Sequence, residues 1–268
     1  MNLIRLFSSA AFVIFLNFPS FGEAIAAEQK HALLIVGHQE TLTASAIVEM
    51  EKTAFLFRQH GVVVHRFYDE QALWEDIIQI APQCHFFVYC GHGSLLGDGY
   101  GAGGLNIDQS VSSAKIREEM NLAEDALVVF QSVCYGAGSS ATDNDDIGQE
   151  EARNRVSCYA APFIDIGASS YFAINRVGGS REFIGFLLEG KTLEQAFTDC
   201  RRQHHTVEFS TQWTHNPGKS FSIASTPAGG VSTRSSYYGG KLWKTETIPG
   251  RKTYNIACIG PMNMTLRE

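Results

Sequence analysis

No block of lysine and arginine occurs anywhere in this chain; its densest basic cluster is the pair Arg201 and Arg202. Set against a formal net charge of -7 and a pI near 5.7, that absence argues against a nucleic-acid partner or an anionic membrane surface. Long apolar runs are missing too. The run from Leu6 to Phe18 is interrupted by Ser8, Ser9 and Asn17, too short for a comfortable membrane span. There is no Cys-x-x-Cys pair and no Cys/His spacing of the kind that holds zinc, so no metal site is expected. The glycines at 97, 99, 101, 103 and 104 do not follow the dinucleotide-binding spacing, and no helix pattern opens from them. Neither an internal repeat nor a low-complexity linker is found.

The 268 residues, 44% hydrophobic and 18% charged, suffice for one sizeable core, which favours one α/β domain with an appendage. Residues 1–26 read as a secretory signal peptide: a positive start at Arg5, a short apolar core, and the small-x-small site Ala24-Ile25-Ala26. The expected location is therefore secreted or periplasmic, with no membrane contact once the signal is removed. Six cysteines, Cys84, Cys90, Cys134, Cys158, Cys200 and Cys258, follow it, and their spacing selects no disulfide pairing.

The remaining pattern alternates strands with helices. Apolar β-rich runs at Lys30–Gly37, Val62–Phe67, Cys84–Cys90, Ala126–Val133 and Ala168–Ile174 read as buried strands of a mostly parallel sheet. Helical spacing is found at Ala46–His60, Gln71–Ile80, Ser113–Asn121, Tyr159–Ile166, Arg181–Leu188 and Leu193–His204, so the sheet is expected to be covered on both faces. Leu105–Asp108 reads as a short strand, and Tyr135–Asn154 as a long acidic loop. From about Phe209 the texture changes to short β-like pieces. The expected domains are 27–208 and a β-rich extension, 209–268, with Trp213, Tyr237, Tyr238 and Trp243 as its core.

Two of the buried strands end at chemically capable side chains followed by a glycine or glycine-containing loop: His92 before Gly93, and Cys134 before Tyr135-Gly136. In open α/β sheets the carboxyl ends of the strands are where ligands bind. A thiol and an imidazole delivered there form a nucleophile and base pair, because the thiolate attacks and the imidazole handles the proton. Singly, each residue has an ordinary structural explanation, a hydrogen-bonded histidine or a buried small thiol. Together, 42 residues apart on strands with room for one crossover between them, they mark a candidate site.

These residues resemble the caspase-fold cysteine peptidases, the group that includes caspases, legumain, clostripain, gingipains and CHAT domains. The resemblance runs from about Lys30 to His204. It rests on Phe86-Phe87-Val88-Tyr89 before His92-Gly93, on Leu127 to Val133 before Cys134, and on the segments Ala161–Tyr171 and Phe183–Phe197. It implies a three-layer caspase-like fold and a cysteine endopeptidase acting on peptide or protein substrates without a cofactor. Cys134 would attack the carbonyl, His92 would move protons, and the backbone N–H groups of Gly93 and Cys134 would hold the oxyanion.

No third member of the site is evident in the sequence. Tyr135 stands where relatives carry an acidic residue or serine, and is expected to crowd the pocket. The acids that could select a basic substrate residue are Glu40, Asp98, Asp108, Asp143, Asp145 and Asp146. The acidic loop around Asp143 suits regulatory calcium or an activating cut. A catalytically silent binding or assembly module with the same fold is the second expectation.

Overall fold

The computed structural model describes residues 29–93, 103–143, 145–176, 178–203, 207–226, 231–238, 241–249 and 252–266. The expected signal peptide, Asp98 and His204 lie outside them. The protein is α/β, built on an eight-stranded, mostly parallel sheet. Its strands are β1 (His31–Val36), β2 (Val63–Tyr68), β3 (Phe86–Cys90), β6 (Leu127–Gln131), β7 (Ser170–Ile174), β8 (Val207–Gln212), β9 (Ser220–Thr226) and β12 (Thr253–Gly260), in the order β2-β1-β3-β6-β7-β12-β9-β8. The first five in that order are parallel to their neighbours; β12, β9 and β8 continue the sheet antiparallel. Two small sheets stand apart, β4 (Leu105–Asn106) with β5 (Ser110–Val111) and β10 (Val231–Tyr238) with β11 (Lys241–Pro249).

Six helices cover the sheet among the described residues: α1 (Thr43–Gln59), α2 (Trp74–Ile80), α3 (Ser113–Glu119), α4 (Gly148–Asp165), α5 (Gly179–Leu188) and α6 (Leu193–Gln203). The two-residue period of the strands divides the core cleanly. Leu33, Ile35, Phe87, Tyr89, Val128, Phe130 and Tyr171 pack on one face with α2, α3 and α4. Ala32, Leu34, Val36, Val88, Val129 and Phe172 pack on the other with α1, α5 and α6. This is a three-layer arrangement compatible with the caspase-like architecture.

Two boundaries differ from the sequence reading. The helix expected from Tyr159 begins at Gly148, absorbing the second half of the acidic loop. Glu150 and Glu151 lie in its first turn, where negative charge complements the helix dipole, and Arg155 bonds back to Glu151 four residues earlier. The C-terminal segment supplies strands to the main sheet, with β12 hydrogen-bonded between β7 and β9. Trp213 is fully buried in the main core, donating from Nε1 to Ser157 Oγ of α4 at 2.9 Å. Among the described residues, no helix is long and apolar enough to cross a membrane.

Candidate active site

β3 and β6 are adjacent, with Cys90 registered against Gln131 at their carboxyl ends. Two residues beyond Cys90 lies His92, and three beyond Gln131 lies Cys134. Buried apolar side chains anchor both strands, so the residues just past their ends inherit fixed positions. The backbones then converge. A Cβ added to Gly93 would lie 2.0 Å from the carbonyl oxygen of Cys134 and 2.6 Å from the hydroxyl of Tyr159 on α4. Only a residue without a side chain permits that approach.

A buried phenol sets the path of the histidine segment. The Tyr89 hydroxyl lies 2.9 Å from the carbonyl of His92 and 2.8 Å from that of Asn106, and it accepts from the Asn106 N–H at 3.1 Å. Burial pushes its pKa far above the ordinary tyrosine value, so it stays a protonated donor. One side chain thus ties the His92 backbone to the β4–β5 hairpin. Gly93 adds an antiparallel bridge to Leu105.

The turn that presents Cys134 is built differently. Ser132 (φ 55°) and Tyr135 (φ 69°) both occupy the left-handed region, unusual for residues with side chains. Such strain persists where surroundings over-determine it, and it concentrates at functional sites. Here the fixing bonds run from Ser132 N to Ile174 O (2.8 Å), Gly136 N to Val133 O (3.1 Å) and Tyr135 N to Ser139 O (3.1 Å). The Tyr171 hydroxyl donates to Gly136 O at 2.9 Å. Cys134 itself is half-buried, and none of the six cysteines is disulfide-bonded.

The loop after β1 brings Glu40 to the imidazole, with Oε2 3.3 Å from His92 Nε2. The sequence offers Glu40 as a pocket acid and no third member of the site; the structure places this carboxylate directly on the histidine. Its own backbone is in the left-handed region at φ 45°. The side chains are 47% (His92) and 71% (Glu40) exposed, leaving the pair open to solvent. Nearby on the same rim, Asp69 accepts from His38 at 2.8 Å and raises that imidazole's pKa.

The remaining expected pocket residues are held elsewhere. Asp108 accepts from the Trp74 N–H at 3.1 Å, at the start of α2. Asp143 is paired with Arg155 at 2.8 Å, its side chain 8% exposed, and also accepts from Ser140 N at 2.7 Å. Tyr135 is buried rather than crowding a pocket. Its ring lies under the Arg155 guanidinium at 5.1 Å, and its hydroxyl meets Thr142 Oγ1 at 2.8 Å. Asp146 accepts from Gly148 N at 3.0 Å. The acidic segment is therefore a folded strap closed by Arg155. Among the described residues no group of three or more His, Cys, Asp or Glu is arranged to hold a metal ion.

Sequence reasoning missed the layer under the site. Gln39 donates to Cys90 Sγ at 3.6 Å, and the Ser180 hydroxyl bonds the Gln131 side-chain oxygen, all within the α1–α5 face. Burial pushes the Cys90 thiol pKa up, against the pull of the hydrogen bond from Gln39. A buried, protonated thiol is a poor nucleophile, and Cys90 is buried whereas Cys134 is half-buried. Polar residues at buried strand ends, such as Gln39 and Gln131, were the available signal.

The arrangement offers a half-exposed thiol on a strained turn, an imidazole oriented by a carboxylate, and two closely packed backbone segments. Compared with known protein families and with curated proteins, the sequence matches none.

Proposed function

We propose that this protein is a cysteine endopeptidase of caspase-like fold, secreted or periplasmic, that cleaves peptide bonds through a thioester acyl-enzyme. The observation carrying this reading is the packing of Gly93 against the backbone of Cys134, which brings the ends of two adjacent parallel strands into one volume. Cys134 Sγ adds to the peptide carbonyl, and His92 takes the thiol proton and returns it to the leaving amine. Water then adds to the thioester, and the thiol is regenerated as the carboxylic acid leaves. In this reading the backbone N–H groups of Gly93 and Cys134 are the oxyanion donors, and such donors contribute most when they need no reorganisation. Glu40 holds the imidazole by Nε2, which leaves Nδ1 for the thiol.

One observation favours the second reading, a silent binding or assembly module: His92 is hydrogen-bonded to Glu40 and not to Cys134. Catalytic hydrogen bonds are often loose without substrate, so the endopeptidase reading is preferred. The test is labelling of the mature protein with a thiol-directed peptide electrophile. The endopeptidase reading requires modification at Cys134, loss of peptide hydrolysis in Cys134→Ala, and strongly slowed labelling in His92→Ala. Absence of both labelling and hydrolysis across a diverse peptide library supports the silent module.

A further inference from the structure

The segment between β9 and β12 forms a sheet of only two strands, β10 and β11, outside the main sheet. An isolated two-stranded sheet is marginal in water, and three or more strands are normally needed for stability. Among the described residues both outer edges of this hairpin are unpaired, leaving rows of N–H and C=O groups that invite another strand.

The sequence of β11 says which strand fits. At its centre Lys244-Thr245-Glu246 is complementary in charge to itself about Thr245 when read in opposite directions. Antiparallel pairing of β11 with β11 of a second copy, centred on Thr245, sets Lys244 opposite Glu246 of the second copy. This opposite-charge pair is favourable and occurs twice about the two-fold axis. The hairpin register skips Trp243, so the match is carried by the central residues Lys244, Thr245 and Glu246. A one-residue slip puts Lys244 opposite Thr245 or Thr247 and forfeits the charge match. Within the hairpin Glu246 is already registered against Arg234, so its position would lie between two basic ones. The β10 strand lacks this symmetry: its one charged residue is Arg234.

We propose that the outer edge of β11 is a homodimer interface, two copies joining through a continuous four-stranded sheet in the order β10-β11-β11-β10. This rests on the hairpin alone and is independent of the proposed peptidase activity.

The test uses the mature full chain and sedimentation equilibrium over a range of concentrations. Wild type is expected at twice the chain mass. T245K and T245E are each expected at the single-chain mass, because each opposes its own charge across the axis, whereas an equimolar mixture recovers the doubled mass. In the hairpin Thr245 is registered against the uncharged Ser235. K244E, which replaces the opposite-charge pairing with Glu246 of the second copy by a like-charge one, is expected to weaken the dimer as well. Recovery on mixing shows that both Thr245 variants are folded. A single-chain mass for wild type at all concentrations overturns the proposal. So does a doubled mass in both Thr245 variants, or a mixture that stays at the single-chain mass while far-ultraviolet dichroism shows native secondary structure.

Discussion

Three residues around the candidate nucleophile carry separable roles. Gly93 supplies closeness: in Gly93→Ala the added methyl would lie 2.0 Å from the Cys134 carbonyl, so one backbone segment must move. Overpacking of this kind costs about 1–3 kcal/mol. Gly93→Ala is expected to lower the urea midpoint accordingly and to abolish labelling of Cys134 by a peptide electrophile. Tyr89 supplies position. Tyr89→Phe removes the hydroxyl shared by His92 and Asn106, leaving buried backbone groups unsatisfied at about 1–3 kcal/mol. Glu40 supplies orientation to a ring that is otherwise half-exposed. Glu40→Gln keeps a hydrogen-bonding group and Glu40→Ala removes it; on the proposed peptidase reading kcat is expected to fall in Glu40→Ala, with KM little changed and partial recovery in Glu40→Gln. A fall confined to KM would make Glu40 a substrate-binding acid instead.

At the scale of elements, α4 and the strap before it act as one unit. Arg155, two turns into the helix, reaches back to Asp143, Glu151 and the carbonyl of Gly138, and covers the Tyr135 ring. Burial works against its charge, but the bonds to Asp143 and Glu151 outweigh that and raise its pKa. The Arg155–Asp143 pair is well shielded, with side chains 14% and 8% exposed. Removing one partner of a buried pair strands the other charge, which costs about 3–5 kcal/mol. Arg155→Met is therefore expected to lower stability in urea by about 3 kcal/mol and to speed proteolytic nicking between residues 136 and 143. The strap also explains a departure from the sequence reading. Asp143 is spent on Ser140 and Arg155, whereas Asp145 and Asp146 stay exposed, Asp146 bonding Gly148 N.

For the whole molecule, one acid ties two helices to the turn between β8 and β9. Asp165 at the end of α4 accepts from Arg117 of α3 at 2.8 Å and from His215, beyond β8, at 2.9 Å. Burial opposes its ionisation, yet the hydrogen bonds from His215 and Arg117 prevail and hold it below the usual carboxylate range. Because its folded value lies below the unfolded one, this stabilisation is complete above about pH 4 and is lost as the pH falls through the folded value. Thermal midpoints measured from about pH 6 down to about pH 3 are expected to fall at the acid end, and less steeply in Asp165→Asn. His38 runs the opposite way. Its raised value means that the contribution of the Asp69 contact is complete below about pH 6.5 and fades as the pH rises through the folded value.

The sequence by itself determined the layers, because unbroken runs such as Phe86–Cys90 and Leu127–Gln131 can be satisfied only by burial on both faces, as found. It also determined that His92 and Cys134 follow strand ends, since the glycines at 93 and 136 mark where the runs stop. Only the tertiary structure decided what surrounds them. Glu40 meets His92 across 52 residues, Tyr89 meets Asn106 across 17, and Asp143 is claimed by Arg155 from a helix that begins inside the expected loop. Periodicity reports which way a side chain faces within its own element. It carries no information on which distant polar group will be there to meet it, and that is settled when the strands take their order in the sheet.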